Sequence, residues 1–72
     1  MTGSKIYAKT EVVGTSEQSA SDAINNAIAT ASKTLRHLEW FEVIEVRGSI
    51  RDNKPSAYQV TLKLGLRYET GA

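Results

Sequence analysis

Ala57-Tyr58-Gln59-Val60-Thr61-Leu62-Lys63-Leu64-Gly65-Leu66-Arg67-Tyr68, residues 57–68, is the stretch that decides the fold. Tyr58, Val60, Leu62, Leu64 and Leu66 alternate with Gln59, Thr61, Lys63, Gly65 and Arg67. Successive side chains of a strand point to opposite faces, so the spacing predicts a strand with one apolar and one polar face. Asp52-Asn53-Lys54-Pro55 just before it reads as a turn, because Asp and Asn bond locally and Pro cannot donate to a ladder. Upstream of the turn, residues 39–51 read as a second long strand.

That second strand changes phase once. Phe41 and Val43 are apolar at odd positions, whereas Ile44, Val46 and Ile50 are apolar at even ones. Two apolar residues in a row, Val43-Ile44, mark the switch, and a β-bulge there would absorb one residue. Trp40 and Glu42 before the bulge, and Glu45, Arg47 and Ser49 after it, then point away from the core. Gln59 lies on the polar face of the next strand. Trp40, Arg47 and Gln59 are therefore expected on one outer face.

Further upstream, Ala23, Ile24, Ala27, Ile28, Ala31, Leu35 and Leu38 recur at three- and four-residue steps. This predicts a helix over residues 20–35, started by Ser19 and Asp22. Its stripe is mostly alanine, which allows close approach by another element. Lys33, Arg36 and His37 collect near its end, either as cations suited to the dipole or as an anion site. Residues 5–13 read as a first strand, broken by Gly14-Thr15-Ser16.

The order is strand, helix, strand, strand. The expectation is an α+β fold, β-α-β-β, with a three-stranded antiparallel sheet packed on one helix as a single domain over residues 1–72. The last strand, with its clean alternation, belongs between the other two. One helix covers only one face of such a sheet, and open edges are commonly closed by partner subunits.

Composition narrows the function. The chain has 72 residues, no cysteine and one histidine, so disulfides, thiolate metal sites and an all-protein zinc site are disfavoured. A core this small nearly balances chain entropy, which leaves self-assembly as the remaining compensation. Nine basic residues against eight acidic ones give +1, too balanced for a dedicated nucleic-acid binder. No apolar run approaches the ~20 residues of a membrane span, and no partner membrane is expected. Residues 1–4 lack a signal-peptide pattern, and absence of cysteine fits the cytoplasm.

Enzymatic chemistry has little to work with. There is no cysteine nucleophile, His37 stands alone, and no serine has a nucleophile-elbow context. Gly14 does not belong to a phosphate-binding loop. Ligand binding is better served. An indole face stacks on a planar aromatic group, a glutamine amide carries a donor beside an acceptor, and an arginine grips a phosphate in two places. The competing readings are a core or subunit-contact ring for Trp40, a solvent-facing residue for Gln59, and a cross-strand ion pair for Arg47.

Several segments together resemble the dodecin family. They are Val13-Gly14-Thr15-Ser16, residues 31–43 (Ala31-Ser32-Lys33-Thr34-Leu35-Arg36-His37-Leu38-Glu39-Trp40-Phe41-Glu42-Val43), Val46-Arg47-Gly48, and residues 58–67. The resemblance spans about residues 5–69. It implies a non-enzymatic flavin-storage protein assembled as a hollow homododecamer, with flavins stacked in pairs between symmetry-related tryptophans. Trp40 takes the stacking role, Gln59 reads the ring edge, and Arg47 holds the phosphate, favouring FMN over riboflavin. The family role is storage, sequestration and photoprotection. Some bacterial members also bind coenzyme A, and by that analogy Lys5, Tyr7, Lys33, Leu35, His37 and Arg67 are further candidates. The alternative is an oligomer that binds coenzyme A or another anionic nucleotide.

Overall fold

The structure, a computed structural model, describes residues 5–68. Strand β1 covers Tyr7–Ser16, helix α1 Ala20–Ala31, strand β2 Leu38–Arg51 and strand β3 Lys54–Arg67. The sheet order is β1-β3-β2, and both neighbours run antiparallel to β3. The alternating strand thus sits in the centre, as its pattern requires.

Val60, Leu62 and Leu64 of β3 are 0–1% exposed and form the core with Ala23 and Ala27 of the helix. Two small residues four apart on the helix let a strand come close. The strand is β1, at Gly14: a Cβ there would stand 2.1 Å from the Ala23 carbonyl oxygen and 2.8 Å from the Ala27 Cβ. Gly14 therefore does not break β1. The strand runs on to Ser16, and the missing side chain is the space into which α1 packs.

The helix starts where expected. Ser19 is extended and its Oγ accepts from the Asp22 backbone N–H at 2.9 Å, relieving one orphan donor. Ser16 Oγ donates to Asp22 Oδ2 at 2.7 Å, tying the end of β1 to the first turn. The helix ends at Ala31, four residues short of Leu35. Ser32 Oγ donates to the Ala29 carbonyl, and Leu35 N–H still bonds the Ala31 carbonyl at 2.9 Å. A capping turn thus carries Leu35 onto the core without helix, and the last helical turn contains no basic residue. Lys33 lies in this turn, and Arg36 and His37 lie beyond it.

Asp52 and Asn53 alone make the β2–β3 turn, with φ of 52° and 63°. Two central residues with positive φ suit the right-handed strand twist. Lys54 and Pro55, expected in the turn, pair with Arg51 and Ile50 instead. Pro55 is tolerated because β1 joins β3 only from Tyr58 onwards, so its nitrogen faces no strand on that side.

The bulge at Val43-Ile44 is present: Val43 pairs with Leu62 and Glu45 with Thr61, leaving Ile44 out of register. Two further register shifts fall between Leu38 and Trp40 and between Ser49 and Ile50. Because of the bulge, Phe41, Val43 and Val46 share a face with Leu64, Leu62 and Val60, the helix side. The helix packs on β1 and β3, however, and hardly reaches β2. Phe41, Val43 and Val46 are accordingly 48%, 44% and 54% exposed. The total surface, 5430 Å², exceeds the about 4,400 Å² expected for a folded monomer of this mass.

Candidate functional site

The sheet face opposite the helix is read from the register. Across the three strands its rows are Tyr7–Arg67, Lys9–Gly65–Trp40, Glu11–Lys63–Glu42, Val13–Thr61–Glu45 and Thr15–Gln59–Arg47. Trp40, Arg47 and Gln59 do share this face, and Arg47 and Gln59 stand directly opposite one another. Trp40 and that pair are separated by six residues of β3, roughly 20 Å along the strand. One chain therefore does not bring a single planar ring against all three.

The Trp40 end is the more constructed of the two. A Cβ on Gly65 would lie 2.2–2.4 Å from three atoms of the indole. The ring therefore lies flat over the Gly65 backbone, a place only glycine leaves open. Tyr7 makes a T-shaped contact with the ring, with centroids 5.2 Å apart and planes at 69°, a favoured aromatic geometry. Trp40 Nε1 donates to Glu42 Oε2 at 2.9 Å, and Lys9 Nζ pairs with the same oxygen at 2.7 Å. These bonds, Lys9 first and Trp40 second, hold the Glu42 carboxyl below the usual glutamate range. Trp40 stays 37% exposed.

A second cluster forms where the chain enters β2. His37 has φ 61°, and its carbonyl accepts from the Arg67 backbone N–H at 3.0 Å. Arg67 Nη2 lies 3.2 Å from His37 Nδ1, and Arg67 Nη1 lies 3.4 Å from Glu39 Oε2. Arg36, His37, Leu66, Arg67 and Tyr68 line an open cleft of about 600 Å³.

The other anticipated residues are dispersed. Tyr7 belongs to the indole site rather than to this cleft. Lys5 is exposed just before β1, and Lys33 is exposed in the turn after α1. Leu35 is half-buried against the core. Arg47 makes no ion pair among the described residues, so no cross-strand ion pair forms at Arg47 within one chain.

Sequence reading missed Gly65, Lys9 and Glu42 as parts of the Trp40 site. Glu42 was detectable as the residue two positions from Trp40 on the same strand face. Lys9 was not, because it comes from β1 on the far side of β3.

A β-α-β-β protein that lays one indole flat on the free face of its sheet defines a narrow class. The family model for dodecin matches residues 6–69. Dodecin from Thermus thermophilus is 54% identical over 65 residues, covering 90% of this chain and 94% of the relative. A crystal structure of a Thermus thermophilus protein superposes with a TM-score of 0.86 at 53% identity, covering 92% of this chain and 97% of that one. The dodecin structure from Streptomyces coelicolor gives 0.87 at 48% identity, with 97% and 100% covered. The chain belongs to the dodecin family.

Proposed function

We propose that this chain stores a flavin, FMN by preference, stacked on Trp40 within a hollow homododecamer, and turns over no substrate. The observation that carries the reading is the indole held flat over Gly65 on the face the helix leaves free. Its outward side is a planar, polarisable surface that a heterocycle can cover. Gln59 supplies a donor and an acceptor for the ring edge, and Arg47 is the cation for a phosphate.

The roughly 20 Å between Trp40 and the Arg47–Gln59 pair supports assembly. Two copies with overlapping sheets can combine one chain's indole with another's arginine and glutamine. The uncovered apolar side chains of β2 lie on the opposite, helix side and offer a second surface for contacts between copies. A pair of flavins sandwiched between two indoles is screened from substrates, and an excited flavin is quenched by electron transfer from the indole, which accounts for storage and photoprotection. The chain's lack of cysteine suits a cytoplasmic location.

Titration with FMN, read by flavin fluorescence, tests this. Strong quenching is expected, and it should vanish in Trp40→Ala. Gln59→Ala should weaken binding and leave the assembly intact. Arg47→Ala should weaken FMN binding about tenfold and riboflavin binding much less, because only FMN carries the phosphate. Equal losses for the two ligands would refute the role given to Arg47.

The cleft of Arg36, His37 and Arg67 favours a second, compatible reading. The guanidinium groups of Arg36 and Arg67 suit the phosphates of coenzyme A or another anionic nucleotide. Coenzyme A binding that Arg67→Ala weakens and Trp40→Ala leaves unchanged would separate this site from the flavin site.

A further inference from the structure

Glu42 and Trp40 rise from the same face of β2, two residues apart. The Glu42 carboxylate accepts from Trp40 Nε1 and is paired through the same oxygen with Lys9. Lys9 comes from β1, so this bond passes over the central strand beside Gly65. The other charges facing Glu42 are Lys63, its cross-strand partner on β3, and Glu11, the partner of Lys63 on β1. The indole is thus held at its face by Gly65, by a T-shaped contact with Tyr7, and at its nitrogen by Glu42.

We propose that Glu42, braced by Lys9, is a positioning residue for the ligand: by holding Trp40 through Nε1, it keeps the indole flat over Gly65 and presents its free face in one orientation. This rests on the reading of Trp40 as a stacking surface. The physical reason is preorganisation. An indole free to turn about its two side-chain bonds must be ordered at the moment of binding, and that ordering subtracts from affinity. A charge-assisted hydrogen bond orders it beforehand. Lys9 and Lys63 keep the acceptor ionised, since both draw its titration downward.

Trp40 is the only tryptophan, so a single indole N–H resonance reports on it. In flavin-free protein, Glu42→Ala should move that resonance upfield as the bond to the carboxylate is lost. Glu42→Gln keeps an acceptor oxygen and should move it much less. FMN affinity should fall about tenfold in Glu42→Ala and less than about threefold in Glu42→Gln. Lys9→Met, which keeps the carboxylate and removes its brace, should fall between them and serves if Glu42→Ala does not fold. An unmoved indole resonance in Glu42→Ala, or equal affinity losses for the alanine and glutamine variants, overturns the proposal. If Trp40→Ala retains the parent affinity, the stacking reading falls and the ligand role of Glu42 falls with it. The indole resonance then distinguishes that outcome from failure of the hold itself.

Discussion

On the helix side of the sheet, β3 and β2 carry the same kind of side chain and meet different fates. Val60, Leu62 and Leu64 are covered by Ala23 and Ala27 and almost fully buried. Phe41, Val43 and Val46, one strand away and on the same face, are about half exposed. Hydrophobicity does not separate the two rows, but the reach of one helix does. The β3 row is a finished core, whereas the β2 row is a core cut open. Burying it stabilises by about 25 cal/mol per Å² only when something is placed against it. In the proposed homododecamer that something is another copy of the chain.

The difference can be broken first at its strongest point. Leu62→Ala removes a side chain buried on all sides and leaves a cavity, which costs about 2–5 kcal/mol. For a domain this small that is much of the total stability. Urea denaturation should show the midpoint falling steeply, and a variant as stable as the parent would mean that the β3 row is not the core. Next is Val46→Asp. In a lone chain this side chain is 54% exposed, so a carboxylate there stays hydrated and the fold should persist by circular dichroism. In an assembly that covers β2, the same carboxylate is buried without a partner, at about 3–5 kcal/mol per contact. Size-exclusion chromatography with light scattering should then show small species only. A shell of unchanged mass would show that β2 is left open in the assembly.

The outer face offers a gentler probe, through acid. The Glu42 carboxyl titrates below the ordinary glutamate value of about 4.3 because of Lys9 and Trp40. A depressed pKa means the folded state favours the ionised form. The hold on Trp40 is therefore fully present at neutral pH, persists through the usual glutamate range, and is lost as pH falls through the depressed value. The indole N–H resonance, followed downward in pH, should stay constant past about 4.3 and shift only below it. A shift centred above that value would contradict the bonding at Glu42.

How much of this was legible follows from where each signal resides. The period of β3 and the doubled apolar pair Val43-Ile44 are local, and they correctly placed the central strand, the bulge and the outward turn of Trp40. Gly14 was misread because a glycine looks alike whether it breaks a strand or makes room for a helix, and only Ala23 and Ala27, across the core, distinguish these. The helix end was overrun because Leu35 stays in step with Ala31 through an N–H to carbonyl bond that outlasts the helix. The shared face of Trp40, Arg47 and Gln59 was visible in alternation, but alternation records sides and not spans, so their separation was not. The bond of Lys9 to Glu42 joins strands that are not neighbours in the sheet, and no local pattern encodes it.

The smallest test acts on how firmly β2 is attached to β3 rather than on what covers it. Asn53 holds φ 63° at the second central position of the hairpin turn. Asparagine tolerates that region, but glycine enters it without steric cost, and Asp-Gly is a preferred pair in such turns. Against this, glycine gives the unfolded chain more freedom to lose. The two effects nearly cancel, with the turn preference ahead, so Asn53→Gly should stabilise by about 0.5 kcal/mol, or roughly 2–4 °C in Tm. Because the change lies in the turn and leaves the apolar row of β2 untouched, the gain should appear equally in the parent and in the Val46→Asp background. A gain confined to the assembled parent would mean that the hairpin is ordered by neighbouring copies and that β2 depends on them for its backbone as well as for the cover of its side chains.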